Sequence, residues 1–171
     1  MYHPTHKMKQ TIGIFLASLA LMYCIYWVFV QKNGSTPLKD DSMQEITIGT
    51  TKLLVEVVST PQKIQQGLSG RASLGSDGML FVLGARRIPT FWMKEMQFPL
   101  DFIWIDGTTV VSITEQVPPP QQGASISSLP LYSPTVPVSH VLEVPAGFVA
   151  EKQIVVGQEV ILPAAHSMVS W

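Results

Sequence analysis

Twenty consecutive positions, residues 11–30, carry no charged side chain. As a helix rising 1.5 Å per residue they would span about 30 Å, the hydrocarbon thickness of a bilayer. Residues 31–43 then turn polar, with Gly34, Ser35 and Pro37 breaking regular structure, and predict a tether. From Glu45 the pattern changes to alternation. Residues 45–58 predict two strands about Gly49-Thr50, with Leu53, Val55 and Val57 on one face. Thr60-Pro61 offers a capping hydroxyl and a proline at the first helical position, so residues 62–68 predict a short helix that ends at Gly70. Short strands are expected at 79–83 and 90–94, separated by a loop over 84–89.

The most sharply patterned stretch is residues 91–107. Two apolar runs flank the Pro99-Leu100-Asp101 corner, and the second ends in Asp106-Gly107. That dipeptide suits a type I′ turn, and the β-branched run after it makes residues 100–114 a hairpin. Pro118, Pro119 and Pro120 end the sheet, because proline has no N–H for a ladder. Residues 121–137 predict one long excursion, 138–144 a strand, 148–154 a short helix and 159–162 a last strand. Many short strands and little helix predict a mainly β fold: an antiparallel β-sandwich of jelly-roll kind or a partly closed barrel, with one or two short helices, behind a single transmembrane helix.

Composition changes the picture in two places. Lys7 and Lys9 precede the apolar segment, so the positive-inside rule holds the N-terminus in the cytoplasm and sends the rest across. Cleavage as a signal peptide is disfavoured because the segment is long and stays bulky through Trp27 to Val30, and lipidation because Tyr23 precedes Cys24. The expected organisation is a cytoplasmic tail at 1–10, an anchor at 11–30, a linker at 31–43, an extracytoplasmic domain at 44–163 and a tail at 164–171. Cys24, the single cysteine, lies inside the anchor, so the domain carries no thiol into an oxidising compartment. After residue 30 there are nine Lys and Arg against twelve Asp and Glu, in no basic run, which argues against a nucleic-acid partner.

Candidate chemistry is thin. His140 and Glu143 form the closest pair of a histidine and a carboxylate, but residues three apart on a strand face opposite ways, so no metal is expected there, and no cofactor elsewhere. Ser69 lacks the spacing of a nucleophile elbow. Asp101 shares an apolar face with Ile103 and Ile105, where a carboxylate needs a partner; Lys94 and Arg71 are the candidates for it. Trp92 and Trp104, each in an apolar run, are read first as core residues and second as exposed stacking platforms, with Lys94 on the face of Trp92 and other nearby cations to orient an anion. The candidate ligand-binding set is therefore Arg71, Trp92, Lys94, Asp101 and Trp104, with no catalytic residue assigned.

Five blocks stand in order: Gln66-Gly67-Leu68-Ser69-Gly70-Arg71, Gly78-Met79-Leu80-Phe81, Phe91-Trp92-Met93-Lys94, Pro99-Leu100-Asp101 with Trp104-Ile105-Asp106, and Leu142-Glu143-Val144-Pro145-Ala146-Gly147 followed by Gly157. Over residues 44–163 the chain resembles the domain-of-unknown-function family number 192, small domains often exported or membrane-tethered. It departs from the pattern at Glu95, where Asn is expected, and at Gln158-Glu159, where Gly-Asp is usual. The resemblance implies a jelly-roll β-sandwich and no activity. The expectation is a membrane-anchored extracytoplasmic binding or assembly module for a glycan or other small molecule. Two alternatives stand beside it: a hydrolase using Asp101 as acid or base, and a purely structural partner of an envelope protein.

Overall fold

A computed structural model of the protein describes residues 22–23, 40 and 42–162. The chain divides into two compact units, residues 1–36 and 37–171. In the first, Met22 and Tyr23 are helical; the rest of the expected anchor lies outside the described residues. Among the described residues no helix is long and apolar enough to cross a membrane.

The second unit is built on one seven-stranded sheet in the order β5-β4-β6-β3-β2-β1-β7. The strands β1 (Ser42–Ile48) and β2 (Thr51–Val58) form the first hairpin, turning at Gly49 with φ 57°. A helix, α1 (Pro61–Gln66), carries the chain across to β3 (Gly78–Arg87), which runs parallel to β2. The central hairpin is β4 (Leu100–Asp106) and β5 (Thr109–Val117), and β6 (Val138–Pro145) inserts between β4 and β3. After α2 (Phe148–Lys152), β7 (Val160–Ile161) joins the edge of β1. The amide of Val160 also donates to the carbonyl of Thr108 at 2.8 Å, so one edge of the sheet curls back to touch the other. The result is a curled half-barrel.

This keeps the partly closed barrel among the expected architectures and replaces the two-sheet sandwich. It also adds a parallel β2–β3 pair to an otherwise antiparallel sheet, because the helix crossover returns the chain in the same direction. Three local expectations shift as well. The helix stops at Gly67 (φ 49°, ψ −130°), three residues early, where the ring of Phe81 would lie 3.3 Å from an added Cβ. Thr60 sits at the N-cap, but its side chain makes no capping bond. The β3 strand continues through Arg87 past a register shift, and residues 90–94 form no strand, only a bridge from Phe91 to Tyr132. At the central turn Gly107 has positive φ while Asp106 and Thr108 do not, the pattern of a II′ turn.

Strands β4 and β6 are buried almost throughout because both faces of the sheet are covered. One face packs Leu53, Val55, Leu80, Ile103, Leu142 and Val144 against α2 through Val149. The other packs Met79, Phe81, Phe102, Trp104 and Val141 beneath Leu68, Met93 and Met96 from the connecting segments. The long excursion after Pro118–Pro120 contributes Tyr132, whose ring meets Phe102 edge-on at 5.7 Å.

Asp101, wholly buried on β4, ties three elements together. Its Oδ1 accepts the amide of Gln116 at 2.7 Å, on the bulge of β5 where the chain adopts φ 52°. Its Oδ2 accepts the amides of Gly147 and Val149, at 2.9 and 3.0 Å, at the start of α2. These are amides that a bulge and a helix start otherwise leave without partners. Asp101→Ala is expected to lower the unfolding free energy of the purified protein by about 3 kcal/mol, because it leaves buried donors unpaired. Gly78→Ala is expected to cost about 1–3 kcal/mol, since its Cβ would lie 2.7 Å from the carbonyl oxygen of Glu143 on β6. Denaturant melts of both variants check these values.

Candidate functional site

Residues on β6 alternate between the two covered faces. His140 shares its face with Leu142 and Val144, and Glu143 shares the other with Val141. The two therefore point apart, as alternation requires. Among the described residues no cluster of three or more potential metal ligands forms.

Glu143 stands between Met79 on β3 and Phe102 on β4, its direct partners across the ladder. Only 5% of it is exposed. Among the described residues its carboxyl accepts no hydrogen bond and forms no ion pair. Desolvation by this burial pushes its pKa up to about 8, so the side chain holds its proton at neutral pH. Above it the chain leaves a cleft of about 280 Å³, between the end of α1 and the segment carrying Phe91 and Trp92, with Phe81 and Glu143 also lining it.

Each wall has a local cause. Gly67 ends α1 at φ 49° and ψ −130°, a positive-φ conformation, and brings backbone close to Phe81, which a side chain there would obstruct. The hydroxyl of Ser69 donates to the carbonyl of Lys94 at 2.9 Å and holds the two walls together. Phe81 and Phe91 meet edge to face with centroids 5.0 Å apart. Trp92 remains 41% exposed. Arg87, on the last residue of β3, also lines the cleft and is exposed. Its neighbour Arg86 is engaged by Asp106 through two contacts, Nε to Oδ1 at 2.7 Å and Nη2 to Oδ2. Arg87 has no such partner among the described residues. A second hollow, of about 410 Å³, lies under Pro118–Pro120 between Met93, Leu129 and Tyr132. No charged side chain lines it, so the Glu143 cleft is the better candidate.

The five residues singled out from sequence do not converge. Trp92 lines the cleft. Trp104 is fully buried, its indole N–H donating to Thr114 Oγ1 at 3.0 Å, and has no face to offer a ligand. Asp101 is sealed in the opposite face with its oxygens occupied by backbone amides, not by Lys94 or Arg71. Arg71 makes a two-pronged pair with Glu56 at 2.6 and 2.8 Å, and Lys94 approaches Glu95 at 3.6 Å. Glu143 and Arg87, the two titratable or charged side chains that line the cleft, are not among the five. A glutamate inside the apolar run Val141-Leu142-Glu143-Val144 was the available signal, since an acid among buried neighbours needs a reason.

Two solved structures share the architecture. A protein of Sinorhizobium meliloti 1021, assigned provisionally as a transcription regulator, aligns with TM-score 0.63 and 28% identity over 72% of this chain and 95% of its own. A protein of unknown function from Novosphingobium aromaticivorans DSM 12444 aligns with TM-score 0.63 and 25% identity over 74% of this chain and 90% of its own. No curated protein matches the chain. The family model described as "Uncharacterized ACR", DUF192, matches residues 44–162, from β1 to the end of β7, and the chain belongs to that family.

Proposed function

We propose that the β-rich unit is a small-molecule binding module held on the extracytoplasmic side of a membrane by the N-terminal apolar segment. One observation carries the binding role: Glu143, a buried carboxyl with no partner among the described residues, lines a cleft large enough for a ligand. Burying a polar group without a hydrogen bond costs about 1–3 kcal/mol, which a ligand could offset by supplying the missing partner. Trp92 beside it offers an amphipathic face for stacking. The tether rests on the uncharged residues 11–30 and on Lys7 and Lys9 before them.

A hydrolase built on Asp101 has no support from the geometry, because that carboxylate meets only backbone amides. A nucleic-acid-binding role, as the regulator assignment of the Sinorhizobium protein would suggest, finds no support in the charge of this chain. Acidic residues outnumber basic ones beyond residue 30, and no run of Lys and Arg supplies a phosphate-binding surface.

A membrane-impermeant reagent applied to intact cells is expected to label Lys residues of the 44–162 region; protection of all of them would overturn the topology. Tryptophan emission is expected to respond when a ligand fills the cleft, and Trp92→Phe to abolish the response. Failure of glycans, organic acids and amines alike to change it would count against the cleft.

Burial of Glu143 also predicts how stability varies with pH. The folded state keeps the proton to about 8, while the unfolded chain releases it near the ordinary 4.5. The folded state thus binds more protons between those values, and stability falls as pH rises across them, by up to about 1.4 kcal/mol per unit. Denaturant melts from pH 5 to 9 should show this decline in the natural protein and a flatter profile in Glu143→Gln.

A further inference from the structure

The chemistry of the cleft narrows what it would bind, granted that it is a binding site. Its two charged or titratable lining residues are Glu143 and Arg87. They lie toward opposite ends: Arg87 pairs with Val138 across the ladder, five positions along β6 from Glu143. That separation is roughly 16 Å between backbones at 3.3 Å per residue, shortened by the reach of the side chains. Phe81, Phe91 and Trp92 add rings to the lining.

Both ends offer protons. A carboxyl that retains its proton donates an O–H, and a guanidinium donates a planar fork that matches an oxyanion. The carboxyl keeps a carbonyl oxygen that also accepts, but the guanidinium accepts nothing, so the acceptor at the Arg87 end must come from the ligand. A cationic ligand would meet Arg87 as a like charge and would have to take the proton from Glu143. Other charges near Glu143 are already neutralised or remote. Glu56 lies in the same row two strands away, beyond Met79, and is paired with Arg71. Phe102 faces Glu143 from β4, and Lys63 on α1 is not free. At about 280 Å³ the cleft sits at the small end of ligand sites and suits a single ring, not an oligomer.

We infer that the cleft takes a small oxygen-rich acid of monosaccharide size, of the hexuronate kind, with neutral oxygens accepting from Glu143, its ring against Trp92 and its carboxylate on Arg87. The acid and its orientation follow from the pairing of one donor at the closed end with one cation at the mouth.

Three sugars on one scaffold test this: D-glucuronate, D-glucose and D-glucosamine, titrated calorimetrically into the full-length protein in lipid nanodiscs at pH 6.5 and pH 9. Glucuronate is expected to bind at least about tenfold more tightly than glucose, the effect of one good charge-assisted contact. Glucosamine is expected to bind worst. Arg87→Ala should bring glucuronate down to the level of glucose. Between the two pH values the natural protein should lose about tenfold in affinity as Glu143 ionises. Glu143→Gln, which keeps a donor that cannot ionise, should bind equally at both. Preference for glucosamine that strengthens at pH 9 would overturn the inference, as would equal binding of glucuronate and glucose or indifference to Arg87→Ala. Binding of none of the three, with Trp92 emission still responding to another ligand class, would overturn the acid and leave the binding module standing. Silence from both would remove the two together.

Discussion

A carboxyl taken out of water needs either donors or its proton, and this fold contains one of each case. Asp101 is buried completely and receives three backbone amides, from the bulge in β5 and from the first turn of α2. Those bonds fix where β5 bends and where the chain after β6 turns into a helix. Glu143 is almost as buried and receives none among the described residues. The first side chain closes the inner face of the half-barrel; the second is left facing a gap in the cover of the outer face. The proton retained by Glu143 is the physical consequence of that difference.

Burial on both faces explains why the gap exists at all. A seven-stranded sheet that curls has a concave side it can fill with its own aliphatic residues and a convex side that must be covered by something else. Here the cover is irregular: the end of α1, the segment through Trp92 and Met96, and the excursion bearing Tyr132. Loops cover a sheet less evenly than a second sheet would. Where α1 ends at Gly67 and the Phe91 segment begins, the two covers are bridged by Ser69 but do not meet above Glu143. A true sandwich would have sealed that position with interdigitating side chains about 10 Å from the opposing sheet.

Much of the fold was legible because alternation reports directly on a sheet. The hairpin of β4 and β5, the pair β1 and β2, the strand β6 and both short helices stand within a few residues of their expected places. Polarity hid the rest. The sequence Gly84-Ala85-Arg86-Arg87 looks like a loop, yet Arg86 is satisfied by Asp106 and β3 continues through it. Phe91 to Lys94 looks like a strand, yet it lies over the sheet as part of the cover and pairs with Tyr132 alone. Trp104 sits within Phe102-Ile103-Trp104-Ile105, a continuous apolar run of a strand buried on both sides, and so is core. Alternation says which face a residue occupies but not what lies on top of that face. For that reason Glu143 could be assigned a face and not a cleft.

Local consistency between a residue and its surroundings fails at Glu143. Nearly every position of β6 agrees with its surroundings: valine and leucine on both faces and a satisfied serine, whose hydroxyl accepts the amide of Gly107 at 2.9 Å. Unlike His140, whose Nδ1 lies 2.8 Å from Ser139 Oγ, Glu143 puts an ionisable group with no partner among the described residues where an apolar one would pack without desolvation cost. A leucine or methionine of similar length would remove that cost and fill the floor of the cleft. Folding therefore supplies no reason for an acid at this position, whereas recognition supplies one: a buried carboxyl discriminates sharply against any ligand that cannot satisfy it, because the mismatch leaves the group unpaired a second time. Arg87, without a partner among the described residues beside an arginine that Asp106 engages, places a donor in the same cleft.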